Sequence, residues 1–405
     1  MLSLGLAILA SQAAQVLAQN AEPLLVGIIY PDTSGLSQPV QHISRGGATA
    51  CVSGFLQVEA GTDANMNFAY EAPVNQSQVT QTIVSLWDSG SPLKEQIMNG
   101  TLSVNGTYDI GVTLCLPQEK QGNQTLHLQV LTHGIGFDRS YWDLAPGYSY
   151  VDVAAAAGYA VFFYDRLGVG VSSKEDPIKT IQSPLELEIL NELVTKLRGG
   201  ALGGNQHFTS IIGVGHSFGS ALTQGVTAAY PQSFDAAVLT GFSTNASGMP
   251  SFSLAQIPEI ASINQPYRFA GLPAGYLVVG SSSALQTTFC HFPGFDPAIL
   301  SLADATKGTV TLGEYFTTGA IVQPAADFHG PVAVVAGNED LGFCFGNCSY
   351  PTNLLAEVPL KLYPSVAANN TATYAAPMAG HGLNLHYSAA GAFTFIQDFL
   401  KSHGF

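Results

Sequence analysis

The sequence predicts an α/β fold: a mostly parallel sheet with helices on both faces, an inserted cap and a β-rich N-terminal extension. Three observations predict it. From Leu126 onward, strand-length apolar runs alternate with helical stretches. Those runs are predominantly apolar, as buried parallel strands covered by helices on both faces are. About 90 residues then separate the run ending near Phe242 from the next one at Pro331, far more than a crossover requires.

The elements follow in chain order. Residues 1–18 read as a secretory leader: an apolar run from Leu2 to Ala10, then Val16-Leu17-Ala18 ahead of a cleavage point. Residues 19–100 form the strand-like, turn-rich extension. Thr101–Val104 and Thr107–Leu116 flank Asn105-Gly106, which predicts a hairpin made of the first two strands of the main sheet. Further strands are expected at 126–131, 160–164, 210–214, 236–239 and 331–336, and helices at 185–197, 220–229 and 389–401. The core therefore spans 101–243 and 329–405, with the cap at 244–328 between them.

Composition narrows the function. Apolar residues make up 46% of the chain and charged residues only 10%, enough for a large core and unlike a disordered chain. The net charge of −15 repels a phosphate backbone, so nucleic acid is not an expected partner. No later segment has the unbroken apolar length of a membrane span. Seven N-x-S/T sequons, at Asn75, Asn99, Asn105, Asn123, Asn245, Asn347 and Asn369, exceed the roughly three that chance would place. They agree with the leader in predicting an N-glycosylated, extracellular protein. In that oxidising setting cysteines pair. Cys344 with Cys348 and Cys51 with Cys115 are the expected pairs, leaving Cys290 as the odd thiol.

The chemistry is carried by Gly215-His216-Ser217-Phe218-Gly219, which follows the run Ile211-Ile212-Gly213-Val214 and precedes a helical stretch. A serine on a sharp strand-to-helix turn presents its hydroxyl above the sheet, beside backbone N–H groups of the helix N-terminus. A hydroxyl needs a base. His381, between Gly380 and Gly382 and ahead of the last helix, is the expected one; His386 is the nearest competitor and is expected to begin that helix and pack. The base needs a carboxylate to orient it. Asp340, in Gly337-Asn338-Glu339-Asp340 after the strand from Pro331, fills that place, with Glu339 as the adjacent alternative. Two oxyanion donors are expected: the N–H of Phe218, and the N–H of Ile135 in the glycine-rich stretch Thr132–Asp138. His133 is read as a structural hydrogen-bonder, and Asp165-Arg166 as a brace for the loops beside the site. A triad needs no cofactor. A Cys/His zinc site is not expected, because no second ligand pair has the spacing.

Four motifs in order, His133-Gly134-Ile135-Gly136-Phe137-Asp138, Asp165-Arg166-Leu167-Gly168-Val169-Gly170-Val171-Ser172, Gly215–Gly219 and Gly380-His381-Gly382, resemble the α/β-hydrolase family over residues 126–243 and 330–405. Tyr141-Trp142-Asp143, Leu239-Thr240-Gly241-Phe242 and Phe343–Cys348 resemble a fungal secreted subgroup of it. The resemblance implies the α/β-hydrolase fold and a serine hydrolase cleaving an ester-like acyl substrate through an acyl-enzyme. It also leaves open the same triad used for acyl transfer or cyclisation in secondary metabolism. A binding module that merely keeps the fold is the third reading, and the complete constellation argues against it. An epoxide hydrolase or dehalogenase of this fold would carry an aspartate where Ser217 stands. The cap's Phe252, Leu254, Phe269, Tyr276, Leu277, Phe289 and Phe292 point to a small hydrophobic substrate.

Overall fold

The computed structural model describes residues 27–118, 126–204 and 206–405. The leader at 1–18 and the Asn123 sequon lie outside the described residues. The strands are β1 (Ser37–Ile43), β2 (Ala50–Phe68), β3 (Met98–Leu116), β4 (Leu126–Thr132), β5 (Ala160–Tyr164), β6 (Phe208–His216), β7 (Ala236–Thr240), β8 (Glu259–Ile260), β9 (Tyr276–Val278), β10 (Val310–Thr311), β11 (Val332–Gly337) and β12 (Thr371–Ala376). Nine of them form one sheet in the order β1-β2-β3-β5-β4-β6-β7-β11-β12. From β5 to β12 every neighbouring pair is parallel, and β1, β2 and β3 join antiparallel at one edge. This is the α/β-hydrolase fold, a large and mostly parallel sheet between helices.

Both faces of the sheet are covered, which is why its central strands read as predominantly apolar runs. In β11, Val332, Val334 and Ala336 belong to one buried cluster, while Ala333 and Val335 belong to the other. The helix Ser183–Arg198 packs on the first face and buries Leu185, Ile189, Leu190, Leu193 and Leu197. Ala389–Ser402 packs on the second with Ala389, Ala392, Phe393, Ile396 and Leu400, a helical stripe of period 3.6.

Two expectations fail in the N-terminal region. Asn105-Gly106 makes no turn: it lies inside the single 19-residue strand β3, where Asn105 pairs with Gly61 and Gly106 with Ala60 of β2. The partner of β3 is thus the distant β2, and a 19-residue two-stranded ribbon outcompetes a local hairpin because it satisfies far more backbone groups. Residues 37–68 are accordingly the first strands of the main sheet rather than an extension packed on it. The stretch read as strand-like also contains the helix Gln76–Trp87, capped by the Asn75 side chain and buried through Val79, Ile83 and Leu86.

Between β7 and β11 lie short helices and a small sheet of β10, β9 and β8. Among the described residues no helix is long and apolar enough to cross a membrane. The disulfides Cys51–Cys115 and Cys344–Cys348 are formed, and Cys290 is free.

Candidate active site

Strand order reverses around β4, which lies between β5 and β6, so the chain leaves β4 in one direction and returns on its other side. Such a switch point opens a crevice beyond the strand ends, where open α/β sheets hold their ligands. Ser217 follows β6 there, and the loop beginning at His133 follows β4.

Ser217 sits at φ +55° and ψ −119°, a conformation that side-chain-bearing residues rarely adopt. Close packing enforces it. A side chain at Gly219 would begin 2.0 Å from the Thr132 carbonyl oxygen, so only glycine lets the helix Phe218–Ala229 start this close to β4. A side chain at Gly134 would begin 2.8 Å from Ser217 Cβ, which places the loop after β4 directly against the nucleophile. The Ser217 N–H donates to the Thr240 carbonyl of β7 at 2.9 Å and pins the turn.

The three predicted residues converge. Ser217 Oγ is 2.8 Å from His381 Nε2, and His381 Nδ1 is 2.7 Å from Asp340 Oδ2. The other carboxylate oxygen of Asp340 accepts the Phe343 N–H at 2.9 Å, capping the short helix Leu341–Cys344, so both oxygens are engaged and the carboxylate cannot rotate. Glu339 turns away, accepting from the Ala379 N–H and from Asn338. His386 takes no part in the triad. Its Nε2 accepts the N–H groups of His291 (2.9 Å) and Gly380 (3.0 Å), and its Nδ1 donates to the Gly382 carbonyl, so it holds the loop that carries His381. Burial lowers the His386 imidazole to about 4. It lies just ahead of the closing helix, whose first residue is Ala389.

The two residues predicted to supply the oxyanion donors lie next to Ser217 or in the loop packed on it. Phe218 is the residue after Ser217, and Ile135 follows the Gly134 that packs on Ser217. Among the described residues neither N–H donates to a protein acceptor, which leaves both free for a developing negative charge. His133 accepts the Arg166 N–H at Nε2 and donates from Nδ1 to the Gly134 carbonyl. Asp165 accepts from Arg139 Nη1 at 2.8 Å and from the N–H groups of Arg139 and Val171, joining the loops after β4 and β5.

The triad is dry. Ser217, His381 and Asp340 are 8%, 1% and 0% exposed. Rings from three segments surround the imidazole of His381: Phe252 at 4.8 Å, Phe289 at 5.5 Å and Phe343 at 5.7 Å between centroids. Of the apolar cap residues singled out in the sequence, Phe252 and Phe289 therefore reach the site. Phe269, Tyr276 and Leu277 are buried elsewhere, and Leu254 and Phe292 are exposed. His216 stacks on Tyr141 at 4.4 Å, donates to Thr240 Oγ1, and is held neutral by burial. The sequence reading missed the ring of Phe343, the aromatic stack on His216 and the anchoring by His386. Only the last had a signal, in its position five residues after His381.

Among the described residues no group of three or more His, Cys, Asp or Glu side chains could hold a metal ion. Residues 129–393 match the model of a family described as the Alpha/beta hydrolase family. No curated protein matches. Among solved structures the chain is similar to a thermophilic esterase from Thermogutta terrifontis, at 13% identity over 73% of this chain and 95% of that one, with a TM-score of 0.49. It is also similar to a monoacylglycerol lipase from Paleococcus ferrophilus, at 14% identity over 68% and 95% of the two chains, TM-score 0.45. A third is the Cif epoxide hydrolase from Acinetobacter nosocomialis, at 14% identity over 82% and 99%, TM-score 0.48. At such identities they assign no substrate to this chain.

Proposed function

Because this chain belongs to the alpha/beta hydrolase family, and is a hydrolytic enzyme of that type, we propose that it cleaves a carboxylic ester or related acyl substrate through Ser217, His381 and Asp340. The observation that carries this reading is the unbroken hydrogen-bonded relay from Ser217 Oγ through His381 to Asp340. His381 Nε2 takes the hydroxyl proton as Ser217 Oγ attacks the carbonyl carbon. The Phe218 and Ile135 N–H groups receive the oxyanion. The imidazolium then gives its proton to the departing alcohol, leaving an acyl-enzyme. Water, deprotonated by the same imidazole, attacks the acyl carbon and releases the acid.

The reading is tested with a fluorophosphonate probe and p-nitrophenyl butyrate. The wild-type protein is expected to label at Ser217 and to turn over the ester. Ser217→Ala is expected to lose both while its unfolding midpoint stays in place. A wild-type protein that is folded yet neither labels nor turns over an ester series sinks the proposal.

Burial of the triad beneath Phe252, Phe289 and Phe343 supports a second reading, in which the acyl group passes to an alcohol or closes a ring. Excluding water lowers the competing rate of hydrolysis. Product analysis with an added alcohol separates the two: transfer yields a new ester in excess of free acid. We also infer secretion, in which a leader is removed and glycans occupy sequons. The exposure of Asn75, Asn99, Asn105, Asn347 and Asn369 and the two disulfides support it. The surplus sequons and the leader are features of the sequence alone.

A further inference from the structure

We propose that Arg166 is a positioning residue that ties both oxyanion amides to the cap through Glu314, so that seating of the cap sets the geometry of transition-state stabilisation. This rests on the serine-hydrolase reading above. The first link runs through the backbone. The Arg166 N–H donates to His133 Nε2 at 3.1 Å, and His133 Nδ1 contacts the Gly134 carbonyl oxygen at 2.8 Å. A carbonyl can only accept and a backbone N–H can only donate, so the ring proton sits on Nδ1 and the imidazole is neutral. Burial, followed by the charge of Arg166, holds His133 in that neutral form. The Gly134 carbonyl and the Ile135 N–H belong to one rigid peptide plane, so fixing the oxygen fixes the direction of the N–H.

The second link runs through the side chain. The Arg166 guanidinium lies over the ring of Phe218, 4.7 Å from its centroid, and Phe218 carries the other oxyanion N–H. The third link reaches the cap. Arg166 Nη1 donates to both carboxylate oxygens of Glu186 at 2.9 Å and, at shorter range, to Glu314 Oε1. Glu186 belongs to the core helix Ser183–Arg198. Glu314 belongs to the helix Leu312–Thr317 in the segment between β7 and β11, where its other oxygen accepts the Thr311 N–H in a capping box. Arg166, Glu186 and Glu314 are all buried. A buried cation with its partners removed has no water to turn to, so each contact restrains it strongly.

Glu314 bonds to no member of the triad, yet it is expected to act on the rate of the chemical step. Glu314→Gln keeps the volume and the cap of its helix and removes the charge that grips Arg166. With p-nitrophenyl butyrate it is expected to lower kcat about 10- to 100-fold, a fraction of the loss seen when an oxyanion donor is deleted outright, and to leave KM within about twofold. Affinity for a trifluoromethyl ketone, which forms a tetrahedral oxyanion on the serine, should fall by the same factor as kcat. His133→Gln is the second variant, since it reaches only the Ile135 arm; it should show the same pairing of losses.

A folded Glu314→Gln protein with unchanged kcat and unchanged ketone affinity overturns the proposal. So does a fall in kcat with no matching loss of ketone affinity, which is what a merely structural role produces. If Glu314→Gln does not fold, His133→Gln decides by the same two measurements. A wild-type protein that resists the fluorophosphonate removes the hydrolase reading and this proposal with it. A wild-type protein that labels and turns over, beside variants that behave like it, removes this proposal alone.

Discussion

Protonating His386 breaks the two hydrogen bonds that its Nε2 accepts from His291 and Gly380, and so loosens the loop holding His381. The folded-state value of about 4 lies below the ordinary value of 6.5, so between these limits the unfolded chain binds the extra proton. Stability is therefore fully present above about pH 6.5 and is lost as pH falls towards 4, by up to about 3 kcal/mol from this one group. Urea unfolding of the wild type across that range is expected to show the decline. His386→Gln, which cannot gain the proton, should be less stable at neutral pH but should decline less. Equal slopes in the two proteins would remove His386 from the account. The sequence marked His386 as a competitor for the triad and as a residue packing at the start of the closing helix. Its actual partners are backbone amides at positions 291 and 380, which no motif connects.

At the scale of elements, the ribbon of β2 and β3 is what local sequence reasoning misreads. Asn-Gly favours a turn through its own two residues, by a few tenths to about 1 kcal/mol. Long-range pairing with β2 settles the matter through a whole ladder of bonds and through Cys51 facing Cys115 in register. That disulfide closes a loop across 64 residues, for which chain entropy alone gives about 4 kcal/mol. The double variant Cys51→Ala with Cys115→Ala is expected to lose about 2–4 kcal/mol in urea unfolding. Its kcat should stay close to wild type, because neither cysteine touches the site. A marked loss of kcat at unchanged fold would show that the edge of the sheet reaches the triad. By contrast, the strands β4 to β7 and β11 were legible to within a residue or two. β5, β7 and β11 are apolar at nearly every position, as burial between helices requires, and β4 and β6 carry an apolar run interrupted by a few polar residues.

Across the whole molecule, the triad lies closed beneath residues from three segments far apart in sequence: the helices Met249–Ala255 and Ser282–Phe289, and the turn after Asp340. Phe252, from the segment between β7 and β11, sets its ring edge-on to both Phe289 and His381. Trimming it opens space next to the imidazole of His381. For Phe252→Ala, the ratio of kcat/KM for p-nitrophenyl decanoate to that for the acetate is expected to rise at least severalfold over wild type. A ratio that stays put would mean the acyl chain leaves the site by another path.

By itself the sequence determined the alternation of buried strands and helices, the glycine-lined turn around Ser217, and the order in which nucleophile, acid and base appear. These are local matters: periodicity, steric need for glycine, and residue type on a loop after a strand. Only the tertiary structure decided that His381 meets both Ser217 and Asp340 within hydrogen-bond distance, that Phe343 and His386 serve the base, and that Arg166 joins Glu186 to Glu314. Glu186 stands on a core helix and Glu314 in a Thr-x-x-Glu cap signature, and nothing in either local pattern says that they share a cation. These contacts join segments from 20 to 164 residues apart and are set by how whole layers pack, which no local pattern contains.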